Sequence, residues 1–127
     1  MRKNITNQVS TGYKIIGVDD ESGVLDSLSI FMKRSGYEFV AVTDPMEAIE
    51  KVRTEHYDLM LLDFIMTPIH GDQVVEEIRK FNKDLYILLL TGHKDLAPPL
   101  DTIKRLSLFS SNKTTLSLIS SFGTEYI

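Results

Sequence analysis

The sequence predicts an α/β protein built on a parallel sheet with helices on both faces. Three observations point there. Apolar strands alternate with helical patterns from Tyr13 onward, the third and fourth strands are apolar almost throughout, and 127 residues of which 43% are hydrophobic suffice for one core. Such alternation specifies parallel strands joined by right-handed crossovers.

The first strand is read at 13–18. Residues 22–35 follow as a helix with Leu25, Leu28, Phe31 and Met32 on one face, and Gly36 stops it. Residues 38–42, EFVAV, form the second strand. Asp44-Pro45 opens the next helix as an N-cap followed by proline at the first position, with Ala48, Ile49 and Val52 turned inward. The third strand is 58–62, DLMLL, and the loop 63–71 leads to a helix over 72–81 in which Val74, Ile78 and Phe81 repeat at helical spacing. The fourth strand is 86–90, YILLL. Pro98-Pro99 starts a short fourth helix, a fifth strand is expected at about 107–111, and a fifth helix at roughly 115–122. Five strands suit the smaller doubly wound arrangement, flavodoxin-like, with order 2-1-3-4-5. The expected domain is 13–122, after a flexible polar lead-in over 1–12, with 106–127 atypical.

Composition narrows the function. A net charge of −4 gives no reason to expect direct nucleic-acid or membrane binding, and the absence of cysteine excludes disulfides and thiolate metal sites and suits a reducing cytoplasm. No apolar run approaches the roughly 20 residues that span a bilayer. The lead-in MRKNITNQVSTG has no apolar stretch behind its basic residues, so it does not read as a signal peptide.

The chemistry lies at strand ends. "IIGVDDES", 15–22, runs from an apolar strand into Asp19, Asp20 and Glu21, although close carboxylates repel by roughly 4 kcal/mol per pair at an effective dielectric near 20. A helix cap accounts for one such acid. It does not account for Asp63, which follows the third strand. In the 2-1-3-4-5 order, strands one and three are neighbours and ligands bind beyond their carboxyl ends, so the three acids converge. Carboxylates without histidine or cysteine call for a hard cation, and Mg²⁺ fits better than Ca²⁺ because no loop supplies six or more oxygens. Thr91-Gly92 ends the fourth strand and Lys113 follows the expected fifth. A hydroxyl, a lysine and a metal are what a phosphoryl group needs around it, with Asp63 as nucleophile. His70, His93 and His56 read as solvated loop residues, and Met60 and Met66 as packing.

These residues resemble the receiver domain of two-component response regulators. The match rests on Asp19-Asp20, Asp63 in "LMLLDFIMTPIHG", Thr91-Gly92 and Lys113, separated by 43 residues from Asp20 to Asp63, then 28, then 22. Gly71 stands at the family's glycine position, eight after Asp63. The resemblance implies that Asp63 accepts a phosphoryl group from a sensor histidine kinase or a small phosphodonor. It implies that Asp20 and Asp63 bind Mg²⁺ directly with the backbone carbonyl of Ile65, while Asp19 acts largely through water. Thr91 would bond the phosphoryl oxygens, Gly92 would keep the backbone open, and Lys113 would pair with one oxygen.

The chain departs from the pattern in three places. Thr67 stands where the family commonly has proline, with Pro68 next. The proline pair Pro98-Pro99 shortens the fourth helix. From Leu106 the chain becomes serine-rich, with Ser110 at the aromatic switch position, Phe109 beside it, and Thr114 in place of the usual proline. The expected function is a cytoplasmic phosphoacceptor switch with an unidentified downstream protein, either a single-domain regulator or a piece of something longer. The alternatives are an α/β aspartyl-phosphate phosphatase, which Ile65 disfavours because a second acid belongs there, and a non-phosphorylated pseudo-receiver that only binds partners.

Overall fold

The computed structural model describes residues 10–91, 114–120 and 123–125. The elements run β1 (Lys14–Val18), α1 (Ser22–Arg34), β2 (Glu38–Val42), α2 (Pro45–Thr54), β3 (Leu59–Asp63), α3 (Gly71–Arg79), β4 (Tyr86–Thr91), β5 (Thr114–Ser120) and β6 (Gly123–Glu125). The sheet order is β2-β1-β3-β4-β5-β6, parallel from β2 to β5 and antiparallel only at β6. Through β4 this is the expected doubly wound order.

Alternation along the strands builds two apolar layers. Ile16, Met60, Leu62, Ile87 and Leu89 join Ala48, Ile49 and Val52 of α2 and Val74, Val75 and Ile78 of α3. On the opposite face Ile15, Phe39 and Leu61 pack with Leu28 and Met32 of α1. Phe31 is the exception to the expected inward face of α1, being 62% exposed. A stripe of Leu25, Leu28 and Met32 already fills the width that one helix presents to the sheet, so Phe31 falls at its edge.

Local signals set the helix ends. The Asp44 carboxylate accepts from the Met46 N–H at 2.9 Å, with Pro45 opening α2. α1 ends in a Schellman motif: Gly36 has φ +89°, its N–H reaches the Lys33 carbonyl, and the Tyr37 N–H reaches the Met32 carbonyl. Among the described residues no helix is long and apolar enough to cross a membrane.

The C-terminal expectation is corrected. Residues 114–120 form β5, not part of a helix over 115–122, and β6 follows at Gly123–Glu125. β5 lies beside β4, pairing Ile87 with Thr114 and Thr91 with Leu118, so it takes the place expected for a strand at 107–111. Physically, TTLSLIS alternates with period two and is rich in β-branched residues, whereas serine competes for helix backbone bonds and a two-turn helix has little stability of its own. The expected strand at 107–111 and the helix starting near Pro99 lie outside the described residues.

Candidate functional site

The parallel register brings β1 and β3 to one edge. Val18 lies between Val42 and Leu62, and Asp63, the last residue of β3, stands beside Leu90. Asp19 leaves β1 with its N–H on the Val42 carbonyl at 3.3 Å. Its carboxylate then turns back to accept the Glu21 N–H at 2.9 Å. Glu21 is the N-cap of α1 and makes no side-chain cap bond, and the helix has no acid in its first turn. The Glu21 carboxylate therefore does not cap the helix.

Asp19, Asp20 and Asp63 each place a carboxylate oxygen within 4.8 Å of the others. Asp19 and Asp63 are half-buried and Asp20 is exposed. Burial, then the charge of Asp19, lift Asp63 from 3.8 to about 7; the Ile65 N–H bond pulls the other way, and Asp20 and Glu21 add smaller repulsions. Asp19 is also raised, first by burial, with the Glu21 N–H bond opposing and the neighbouring acids adding to it. Such a cluster holds charge it cannot neutralise from within. Three carboxylates without histidine or cysteine fit a hard, oxygen-seeking divalent cation that keeps further positions for water or phosphate oxygens.

The far wall depends on Gly71. The Phe64 carbonyl accepts the Gly71 N–H at 2.8 Å, seating α3 against the end of β3. A Cβ at Gly71 would lie 2.8 Å from the Asp63 carbonyl oxygen and 2.9 Å from the Phe64 Cα. Only glycine allows this approach. His70 is exposed at the N-cap of α3, with its ring 6.1 Å from the Phe64 ring and its N–H on the Gln73 side chain. His56, for which the sequence offers no partner, lies 3.1 Å from Asp58.

Of the residues singled out from sequence, Asp19, Asp20 and Asp63 meet, with Ile65 next to them through its backbone N–H. Thr91 ends β4 one residue beyond Leu90, the neighbour of Asp63. Gly92, His93 and Lys113 lie outside the described residues. β5 begins at Thr114, the residue after Lys113 in sequence. Glu21 is the participant that sequence reasoning left unassigned. Its adjacency to the acid pair was the available signal, since an acid at i+2 offers Asp19 a backbone N–H.

The chain is similar to known regulators. It is 36% identical over 79 residues to the alkaline phosphatase synthesis transcriptional regulatory protein PhoP of Bacillus subtilis, covering 62% of this chain and 33% of that protein. It is 37% identical over 84 residues to the probable transcriptional regulator ycf27 of Cyanophora paradoxa, covering 66% of this chain and 35% of the relative. The match thus spans about a third of the length of these curated relatives. Among solved structures, the response regulator TrrA of Thermotoga maritima in complex with Mg(2+)-BeF is 32% identical with a TM-score of 0.69, over 87% of this chain and 88% of that one. TrrA in complex with the histidine kinase ThkA is 31% identical with a TM-score of 0.67, over 82% of this chain and 84% of that one. The family model described as the response regulator receiver domain matches residues 15–105, and the chain belongs to that family.

Proposed function

We infer that the chain is a phosphoacceptor signalling switch, phosphorylated on Asp63 in a Mg²⁺-dependent manner by a histidine kinase or a small phosphodonor. The observation that carries this reading is the meeting of Asp19, Asp20 and Asp63 at the carboxyl edge of a parallel sheet. The Mg²⁺-BeF complex of TrrA and its complex with a histidine kinase support both the ion and the partner.

Asp63 ends β3 with the Ile65 N–H hydrogen-bonded to its carboxylate, which leaves an oxygen for the chemistry. That free oxygen attacks phosphorus as the bond to the donor's imidazole nitrogen or acyl oxygen breaks, leaving an acyl phosphate on Asp63. A bound Mg²⁺ supplies positive charge to the phosphoryl oxygens and to the crowded acids. Asp20, Asp63 and the Ile65 carbonyl are the proposed direct ligands, and Asp19, oriented by the Glu21 N–H, acts through water. Thr91 is the proposed hydroxyl donor to a phosphoryl oxygen, beside Gly92, and its position at the end of β4 suits that role. Lys113 is the proposed cation for another oxygen.

Family members are signalling switches and not multiple-turnover enzymes, and the chemistry proposed for this chain is limited to gaining and losing its own phosphoryl group. A phosphatase reading lacks a general acid, because position 65 is isoleucine. The switch is proposed to act in the cytoplasm through a downstream protein. Intact mass after incubation with acetyl phosphate and Mg²⁺ tests the reading. One added phosphoryl group, absent in Asp63→Asn, is expected; an unchanged mass with the acids intact would leave a binding-only module.

A further inference from the structure

The residue at the N-cap of α1 does not use its side chain as a cap. Serine, threonine, asparagine and aspartate cap helices well, because a short side chain reaches the second or third N–H of the helix. Asp44 does this for α2, its carboxylate accepting the Met46 N–H. At the same position of α1 stands Glu21, which makes no side-chain cap bond. The two parts of Glu21 do separate things. Its backbone N–H holds the Asp19 carboxylate at 2.9 Å, and its carbonyl accepts the Val24 and Leu25 N–H groups that start the helix. Its side chain is exposed, and its carboxylate lies outside the group of three whose oxygens come within 4.8 Å of one another. Its charge still repels those of both Asp19 and Asp63. Among the described residues no lysine, arginine or histidine forms an ion pair with Asp19, Asp20, Glu21 or Asp63.

We propose that Glu21 is an affinity-determining residue of the cation site: its carboxylate, without being a ligand, supplies a fourth negative charge that draws a divalent ion to Asp19, Asp20 and Asp63. The proposal deepens the phosphoacceptor reading and rests on its metal site. Separation decides the mode of action. A ligand must lie within reach of the ion that the three acids share, whereas a charge acts over a longer range. A unit charge about 8 Å from a divalent ion, fully in water, changes the affinity by roughly five-fold. Mg²⁺ suits such an outer charge, because it keeps several of its waters and so meets acids beyond its first layer of ligands. In the metal-free chain the same carboxylate adds to the repulsion among the acids, and no cap bond offsets it. An arriving dication turns that repulsion into attraction.

The test titrates Mg²⁺ alone into the isotope-labelled full chain, read by amide shifts, for the native protein and for Glu21→Gln, Glu21→Asp and Asp26→Asn. Glu21→Gln removes the charge at constant length and should weaken Mg²⁺ binding about three- to ten-fold. Glu21→Asp keeps the charge and should stay within about two-fold of native. Asp26 is exposed on α1, five residues and about 7 Å further along, so Asp26→Asn should also stay within about two-fold. In EDTA, Glu21→Gln should melt no lower than the native chain, whereas a merely structural role would lower the midpoint together with the affinity. About 0.5 M KCl shortens the screening length to about 4 Å and should at least halve the deficit of Glu21→Gln. Native affinity in Glu21→Gln, an equal loss in Glu21→Asp or in Asp26→Asn, a lower midpoint in EDTA, or a deficit that salt leaves unchanged would each overturn the proposal alone. A native chain that binds no Mg²⁺ would overturn it together with the metal site of the phosphoacceptor reading.

Discussion

Asp63→Asn should stabilise the metal-free protein at alkaline pH. Burial and the neighbouring acids push the Asp63 carboxyl up to about 7 in the fold, from an ordinary value of 3.8. A group raised on folding contributes stability that is fully present below its unfolded value and is lost as pH rises through its folded value. Here the loss runs from about pH 4 to about pH 7, because the folded chain keeps a proton that the unfolded chain has released. At about pH 8.5 the full displacement corresponds to about 4 kcal/mol, and solvent and counter-ions at a half-exposed site bring it to about 2. Asparagine keeps an oxygen for the Ile65 N–H and carries no charge to set against Asp19 and Asp20. For a domain of this size, the gain amounts to about 5–10 °C in melting midpoint. Thermal melts of both proteins in EDTA at about pH 4.5 and 8.5 should converge at the lower pH and separate at the higher. Equal midpoints at the higher pH would refute the claim that the three acids are held together at a cost.

Millimolar Mg²⁺ should raise the melting midpoint of the native chain by mass action, and Asp20→Ala should abolish the rise; an unchanged native midpoint would count against a cation site. Ile65→Asn should speed loss of the phosphoryl group from pulse-labelled protein several-fold, because an amide can orient the attacking water that an apolar side chain excludes; an equal or slower rate would remove Ile65 from that role. Gly71→Ala should cost about 1–3 kcal/mol in urea unfolding, since the new methyl meets backbone on two sides, and a neutral result would show that α3 can slide.

The doubly wound core and the acid cluster were legible because local and long-range signals agree there. Apolar runs at 86–90 and 59–62 leave no wet face, so they read as strands covered on both sides. Gly36 and Asp44-Pro45 mark helix ends through backbone chemistry, and those ends occur where expected. The acid pair and Asp63 are 43 residues apart in sequence, and strand adjacency alone brings them together. What sequence could not resolve at the site was electrostatic. That Asp19 turns back onto the Glu21 N–H, and that burial outweighs like charge in lifting Asp63, depend on how deep each carboxylate lies.

The C-terminal segment misled for an identifiable reason. Leu116, Ile119 and Phe122 stand at i, i+3 and i+6, which can be read as one side of a helix. The same stretch also has Leu116 and Leu118 at i, i+2, with threonine or serine between and around them. Periodicity alone cannot decide between these patterns over seven residues. Propensity favours the strand, since Thr114, Thr115 and Ile119 are β-branched and the serines weaken a helix. The deciding term is tertiary. β4 would otherwise present an unpaired edge of backbone donors and acceptors along its most apolar run, and a seven-residue strand beside it satisfies that edge. A two-turn helix would satisfy its own bonds and leave the edge of β4 open. Pairing outweighs the helical reading here.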